Sequence, residues 1–250
     1  MNIVARGYRH AGRFFAAAML AATLAGCASP TFTDEERKIS RIVVIPVESP
    51  YGRSAHERHI TNNISYTAWA QAAGNQSRKD SLVNALDAER KTLGPKMTSA
   101  LVEELKKAGY EVSVYQGTKS TTVDADDIDY AKLSVQEPVL HLWFDAAEMY
   151  SPANVTQFQP RVNTGVRVVR AQRPKAYLYN ESFYYGVDSR GAKYWSAPAD
   201  SKYHYTSFDA LVANPAQTAE SMDVGVETIA AMIAKDLKER VARYPKSKPE

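Results

Sequence analysis

The sequence predicts a single α/β (α+β) domain on one mixed sheet, in the order β-α-β-(α)-β-β-β-α. Three observations predict it. Short strand-like runs recur at 41–47, which is apolar and rich in β-branched residues, at 111–115 and at the apolar 139–144. Two amphipathic helical stripes, at 81–108 and 214–237, stand on either side of the chain's middle. Two longer strand-like runs, 161–172 and 175–187, follow one another with only a short break.

The first run, Ile42 to Val47 with Pro46 near its end, reads as a strand buried on both faces. Residues 48–80 show no clear periodicity and carry turn signals at Ser49-Pro50, Asn62-Asn63 and Gly74-Asn75, with room for a short helix at 60–73. A loop this long in a compact domain is usually functional or mobile. From 81 to 108, Leu82, Leu86, Leu93, Met97, Leu101 and Leu105 form one stripe. Gly94-Pro95 interrupts it, which predicts a break or kink there. Lys106, Lys107 and Gly109 form a helix end. A second strand follows at 111–115. The acidic run Asp124 to Asp129 predicts the opening of a short helix. Val139 to Phe144 is the next buried strand, running on toward Tyr150. In the next run Val162, Thr164, Val166 and Val168 alternate with Asn163, Gly165, Arg167 and Val169. Arg173-Pro174 separates it from the run in which Tyr177, Tyr179, Phe183 and Tyr185 share a face interrupted by Glu181. Asp188 to Gly191 turns the chain, and Tyr194-Trp195 opens a last short strand. Asn214-Pro215-Ala216-Gln217 has the form of a helix start, followed by the stripe Met222, Val226, Ile229, Ile233 and Leu237.

The N-terminal segment has a different character. Residues 1–13 carry Arg6, Arg9 and Arg13 and no acid, and residues 14–25 are apolar or small except Thr23. This is the pattern of a signal peptide. Twelve helical residues span about 18 Å, short of the roughly 30 Å hydrocarbon core. The pattern ends in Leu24-Ala25-Gly26-Cys27, which resembles the bacterial lipobox. That resemblance implies cleavage before Cys27 and acylation of its thiol with diacylglycerol, then usually of the new amino group. Two or three chains anchor a protein stably, whereas one does not. Ala28 stands where an Asp would resemble the inner-membrane retention signal, so the expected address is the outer membrane of a Gram-negative cell, facing the periplasm. The expected organisation is a signal peptide over 1–26, an acylated cysteine and short tether over 27–40, an α/β periplasmic domain over 41–243, and a disordered tail over 244–250.

Composition then takes on a different meaning. The chain has 31 Lys and Arg against 28 Asp and Glu. The signal segment holds three of the bases, so 31 − 3 = 28 remain against 28 acids, and the mature chain is formally neutral. A nucleic-acid partner therefore lacks an electrostatic warrant. Cys27 is the one cysteine, which leaves no internal disulfide, thiol nucleophile or cysteine metal site.

The strand at 42–47, the helix end Ala100 to Gly109 leading into Tyr110-Glu111-Val112, the apolar third strand and the C-terminal amphipathic helix resemble periplasmic lipoproteins with the TolB-N-terminal-like α/β fold. This group includes the curli-secretion, penicillin-binding-protein-activator and Pel-type exopolysaccharide lipoproteins. The resemblance implies a non-enzymatic envelope protein, without cofactor, that binds other proteins or self-assembles.

Candidate chemistry is sparse. His56-Glu57-Arg58-His59 is not a His-Glu-x-x-His metal motif, and Asp124–Asp129 lacks the glycine and glutamate of an EF-hand. His141 sits in an apolar strand beside Trp143, which suits a core histidine. The alternative is a hydrolase pair with Asp145, four residues on along the strand. The aromatic set Tyr177, Tyr179, Phe183, Tyr185, Tyr194 and Trp195 suits either a half-buried sheet or a partner surface. A membrane-spanning hairpin would need cleaner alternation than Arg167 and Glu181 allow. Three functions follow: an accessory lipoprotein of an envelope machine, an activator of a peptidoglycan synthase, and a periplasmic hydrolase.

Overall fold

The structure, a computed structural model, describes residues 39–50, 76–117, 128–151, 157–190 and 195–243. Leu24, Ala25, Gly26, Cys27, His56, His59, Asp124, Tyr194 and the 244–250 tail lie outside these residues. The described strands are β1 (Arg41–Val44), β2 (Glu111–Val114), β3 (Pro138–Tyr150), β4 (Gln159–Arg170), β5 (Arg173–Gly186) and β6 (Ser196–Ala197). They form one six-stranded sheet in the order β2-β1-β3-β4-β5-β6. β1 pairs in parallel with β2 and β3, β3-β4-β5 form an antiparallel meander, and β5 pairs in parallel with β6. This is the mixed α/β sheet that the sequence predicts.

Ile42, Val43, Val44 and Ile45 are all buried because β1 has a strand on either side and a covered surface on both faces. One face carries the helices α1 (Gln76–Lys107) and α3 (Pro215–Arg243), with the short α2 (Phe208–Val212) leading into α3. Leu93, Met97, Leu101 and Leu105 of α1 are fully buried, as are Ile229 and Ile233 of α3, with Met222, Val226 and Leu237 nearly so. On the opposite face, Tyr130 and Leu133 cover Ile45, Val139 and Val169. The expected short helix after the acidic run is one 3-10 turn, Tyr130–Lys132, preceded by Asp129.

The α1 end follows the predicted rule. Gly109 takes φ +100°, and the N–H groups of Gly109 and Tyr110 return to the carbonyls of Lys106 and Leu105. α3 begins at Pro215 as predicted, with the Thr218 N–H bonded to the Asn214 carbonyl at 3.1 Å. The Asn214 side chain does not cap that start; it donates to the Ala210 carbonyl of α2 at 2.7 Å.

Two expectations are corrected. Arg173-Pro174 does not separate the two long strands; the turn is Ala171–Gln172, and Arg173 already opens β5. The predicted break at Gly94-Pro95 is absent, and α1 runs through Pro95 as one helix. A helix-interior proline normally removes a hydrogen bond and costs about 3 kcal/mol. Here Ser49, from the segment after β1, supplies the missing donor. Its Oγ donates to the Lys91 carbonyl at 2.6 Å and accepts from the Gly94 N–H at 3.0 Å. Thr98 Oγ1 accepts from the Val47 N–H at 2.8 Å and donates to the Gly94 carbonyl at 3.0 Å. Gly94 is required because a Cβ there would lie 2.4 Å from the Val47 carbonyl oxygen and 2.5 Å from the Ser49 nitrogen.

Two substitutions test this crossing. Gly94→Ala forces backbone apart and is expected to lower unfolding free energy by about 1–3 kcal/mol in urea denaturation. Ser49→Ala strips the replacement donor and is expected to cost about 1 kcal/mol. Parent-like midpoints for both would show that the crossing contributes nothing.

Candidate functional site

The predicted aromatic surface divides between the two faces of the sheet. Tyr177 is 45% exposed, whereas Tyr179 (3%), Phe183 (0%) and Tyr185 (2%) are buried. A β-bulge is the reason. Val168 pairs with Tyr179 but Val169 pairs with Tyr177, so Leu178 is the extra residue in β5. Tyr177 therefore leaves the face that Tyr179, Phe183 and Tyr185 present to α3. Those three residues are core and are not a partner surface. Trp195 is half-buried beside Phe183, at 6.0 Å between ring centroids.

Beneath α3, Gly225 lets the helix approach the sheet, since a Cβ there would meet the Tyr185 ring at 2.8 Å and Val162 at 2.9 Å. Two turns from the C-terminus of α3, Asp236 is 0% exposed. It accepts from the Tyr179 hydroxyl at 2.6 Å and forms an ion pair with Arg240 Nε at 3.1 Å. Arg240 also bonds Glu181, which explains the acid that interrupts the aromatic row. The Arg240 guanidinium lies 5.1 Å from the Tyr179 ring centroid. This cluster is structural glue between β5 and α3.

The other face presents a flat ladder that sequence reading missed. Trp143 pairs with Gly165, and its indole lies over that glycine, where a Cβ would come within 2.2 Å of the ring. The Arg167 guanidinium stacks on Trp143 at 4.7 Å and on Tyr177 at 5.2 Å from the ring centroids. Arg167 Nε donates to Asn180 Oδ1 at 3.1 Å, and Trp143 Nε1 donates to Asp145 Oδ1 at 3.0 Å. Asn180, Ser182 and Asp145 are exposed around this ladder. Cation–π contacts of this kind stabilise by about 0.5–1 kcal/mol at exposed sites and hold the rings flat. Farther along the same face, Arg161 bridges Glu148 at 3.1 Å and Asp188 at 2.7 Å. The ladder offers planar contact area with hydrogen-bonding groups at its margin.

The hydrolase pair is not assembled as expected. His141 is 3% exposed, and its Nδ1 meets the Tyr130 hydroxyl at 2.8 Å. Asp145 stands at a register shift between Phe144 and Ala146 and bonds Trp143. Among the described residues no group of three His, Cys, Asp or Glu side chains forms a metal site. On the helical side a groove of about 660 Å³ runs between α1 and α3, lined by Pro95, Ser99, Ala100 and Val226 and crossed by Lys96. Lys96 bonds Asp223 at 2.7 Å and also Glu89. Burial opposes the Lys96 charge, but these two carboxylates outweigh it and hold the ammonium above its ordinary range. No helix among the described residues is long and apolar enough to cross a membrane.

No protein-family model matches the sequence, and no curated protein matches it significantly.

The buried tyrosines predict an alkaline limit to stability. Burial pushes the Tyr185 hydroxyl up to about 12, and Tyr110 likewise up to about 12. Burial and the adjacent Asp236 drive Tyr179 still higher. A raised tyrosine pKa contributes stability that is complete below the unfolded value near 10 and is lost as pH rises toward the folded value. Unfolding free energy should therefore fall between about pH 10 and 12, by roughly 2 kcal/mol for Tyr185 alone. The Tyr185 hydroxyl has no hydrogen-bond partner among the described residues, so Tyr185→Phe is expected to be neutral or slightly stabilising at pH 7. It should also flatten the alkaline decline. Denaturant titrations across pH check both, and a destabilised Tyr185→Phe with an unchanged decline would refute the assignment.

Proposed function

We propose that this chain is a lipid-anchored periplasmic lipoprotein of the outer membrane. In this reading it acts as a non-catalytic accessory or assembly factor of an envelope machine through protein contacts. The observation that carries the reading is Leu24-Ala25-Gly26-Cys27 at the end of a basic-then-apolar segment. The neutral mature chain and the single cysteine support it, because basicity and thiol both fall to targeting. The resemblance to envelope lipoproteins supports the accessory role. The Trp143–Arg167–Tyr177 ladder supplies a contact surface, since Trp, Tyr and Arg are the residues that dominate interface energetics. The hydrolase alternative has less support, because His141 is buried and bonds Tyr130 while Asp145 bonds Trp143.

Two measurements check the reading. Cys27→Ser should abolish incorporation of labelled fatty acid and shift the protein from the membrane to the soluble periplasmic fraction. A photo-crosslinking residue at Ser182, beside Gly165 on the ladder face, should capture an envelope protein or a second copy in cells. Trp143→Ala with Tyr177→Ala should reduce that adduct at least several-fold while the protein accumulates normally. If no adduct forms, the contact surface is elsewhere.

A further inference from the structure

The helices α1 and α3 pack along one another and leave the open groove of about 660 Å³ between them. Ala100 and the buried Val226 form its floor, and the exposed Pro95 and Ser99 stand at its α1 side. These side chains are short, so none of them fills the space. From Lys96 to Lys107 the α1 side is about 16 Å long at the helical rise.

The charged side chains that line the groove are four carboxylates, Glu103, Glu104, Asp223 and Glu227, and two ammonium groups, Lys96 and Lys107. Each lysine is shared between two acids. Lys96 bonds Asp223 at 2.7 Å and also Glu89, and Lys107 bonds Glu103 at 2.7 Å and Glu104 at 2.9 Å. Glu227, one turn after Asp223 on α3, is exposed and makes no ion pair or hydrogen bond among the described residues. The lining therefore carries a surplus of negative charge. Of the bases around it, Lys202 is held by Glu220 at 3.1 Å and Lys235 stands 4.0 Å from Glu239, while Lys106 and Lys238 lie outside the lining. A cleft with one sign of charge in excess over apolar walls focuses its field outward and gathers the opposite charge.

We propose that this groove docks a lysine- and arginine-bearing segment of a partner protein. Its basic side chains meet Glu103, Asp223 and Glu227, and the small side chains between them pack on Ala100 and Val226. Charge complementarity of this kind speeds encounter and rejects acidic competitors. The groove lies across the sheet from the Trp143–Arg167–Tyr177 ladder, so the domain offers two separate contacts of different chemistry. The proposal goes beyond the accessory reading above and depends on neither the lipid anchor nor the ladder.

The test uses the full chain in an uncharged detergent and reads binding of a fluorescein-labelled lysine–alanine peptide by anisotropy at low salt, with a glutamate–alanine peptide as its counterpart. The lysine peptide is expected to bind and the glutamate peptide is not. Glu103→Gln with Glu227→Gln should weaken binding several-fold, because each exposed charge pair accounts for up to about fivefold in affinity. Glu111→Gln with Glu137→Gln removes equal charge from other elements and should leave binding unchanged. In cells, a photo-crosslinking residue at Ser99 should capture a segment that carries Lys or Arg, and Glu227→Lys should abolish that adduct. Failure of the lysine peptide to bind, equal binding of the two peptides, or equal weakening by both variant pairs overturns the docking site. So does a Ser99 adduct to a second copy or to a segment without bases. Release of the lysine peptide by micromolar calcium would make the groove a cation site and overturn it too. None of these outcomes bears on Cys27 or on the ladder.

Discussion

A carboxylate with no solvent exposure must be satisfied from within, and Asp236 sets that requirement for the helical side of this domain. Its partners, the Tyr179 hydroxyl and Arg240, come from β5 and α3, and Arg240 carries the connection back to Glu181 on the strand. The rotation of α3 on the sheet is thereby fixed. Gly225, three turns earlier, allows the close approach that this geometry needs. Tyr179 and Tyr177 end on opposite faces because Leu178 is an extra residue in the ladder. One bulge therefore serves two ends: it aims Tyr179 at Asp236 and places Tyr177 beside Arg167 on the outer face.

Much of the fold is legible from periodicity. The α3 stripe from Met222 to Leu237 is buried position by position, and Ile42, Val43 and Val44 of β1, with Ile45 after it, are buried as their unbroken apolarity implies. The Gly109 and Pro215 boundaries follow from local backbone chemistry. What escaped the sequence depends on distant partners. Pro95 stays helical because Ser49, 46 residues earlier, replaces its missing donor, and no local propensity encodes that. The aromatic row looked continuous because a period-two reading assumes an unbroken pleat, and a bulge changes the parity of every later residue. The Trp143–Arg167–Tyr177 ladder needs the register of three strands. Only Gly165, a small residue within an otherwise β-rich run, hinted that a large ring lies across it.

The functional reading is built from two kinds of observation that meet at one end of the sheet. In the proposed reading, residues 1–26 are a targeting segment that accounts for the excess positive charge and ends at the lone thiol, which puts a membrane within reach of Ser40. The register places the β4–β5 turn at the end of the sheet where the described chain enters and the flat ladder farther along the strands. Buried aromatic and ionic contacts under α3 stabilise the domain, and the proposed function adds a lipid anchor and a partner on the ladder face.

The proposed anchoring depends on the modification of one cysteine, Cys27. Intact-mass measurement of the protein extracted from membranes, with sequencing of its N-terminal peptide, tests this most directly. The account predicts a chain that begins at Cys27 and carries two or three acyl chains. A chain that retains residues 1–26, or one with a free Cys27 thiol, contradicts it.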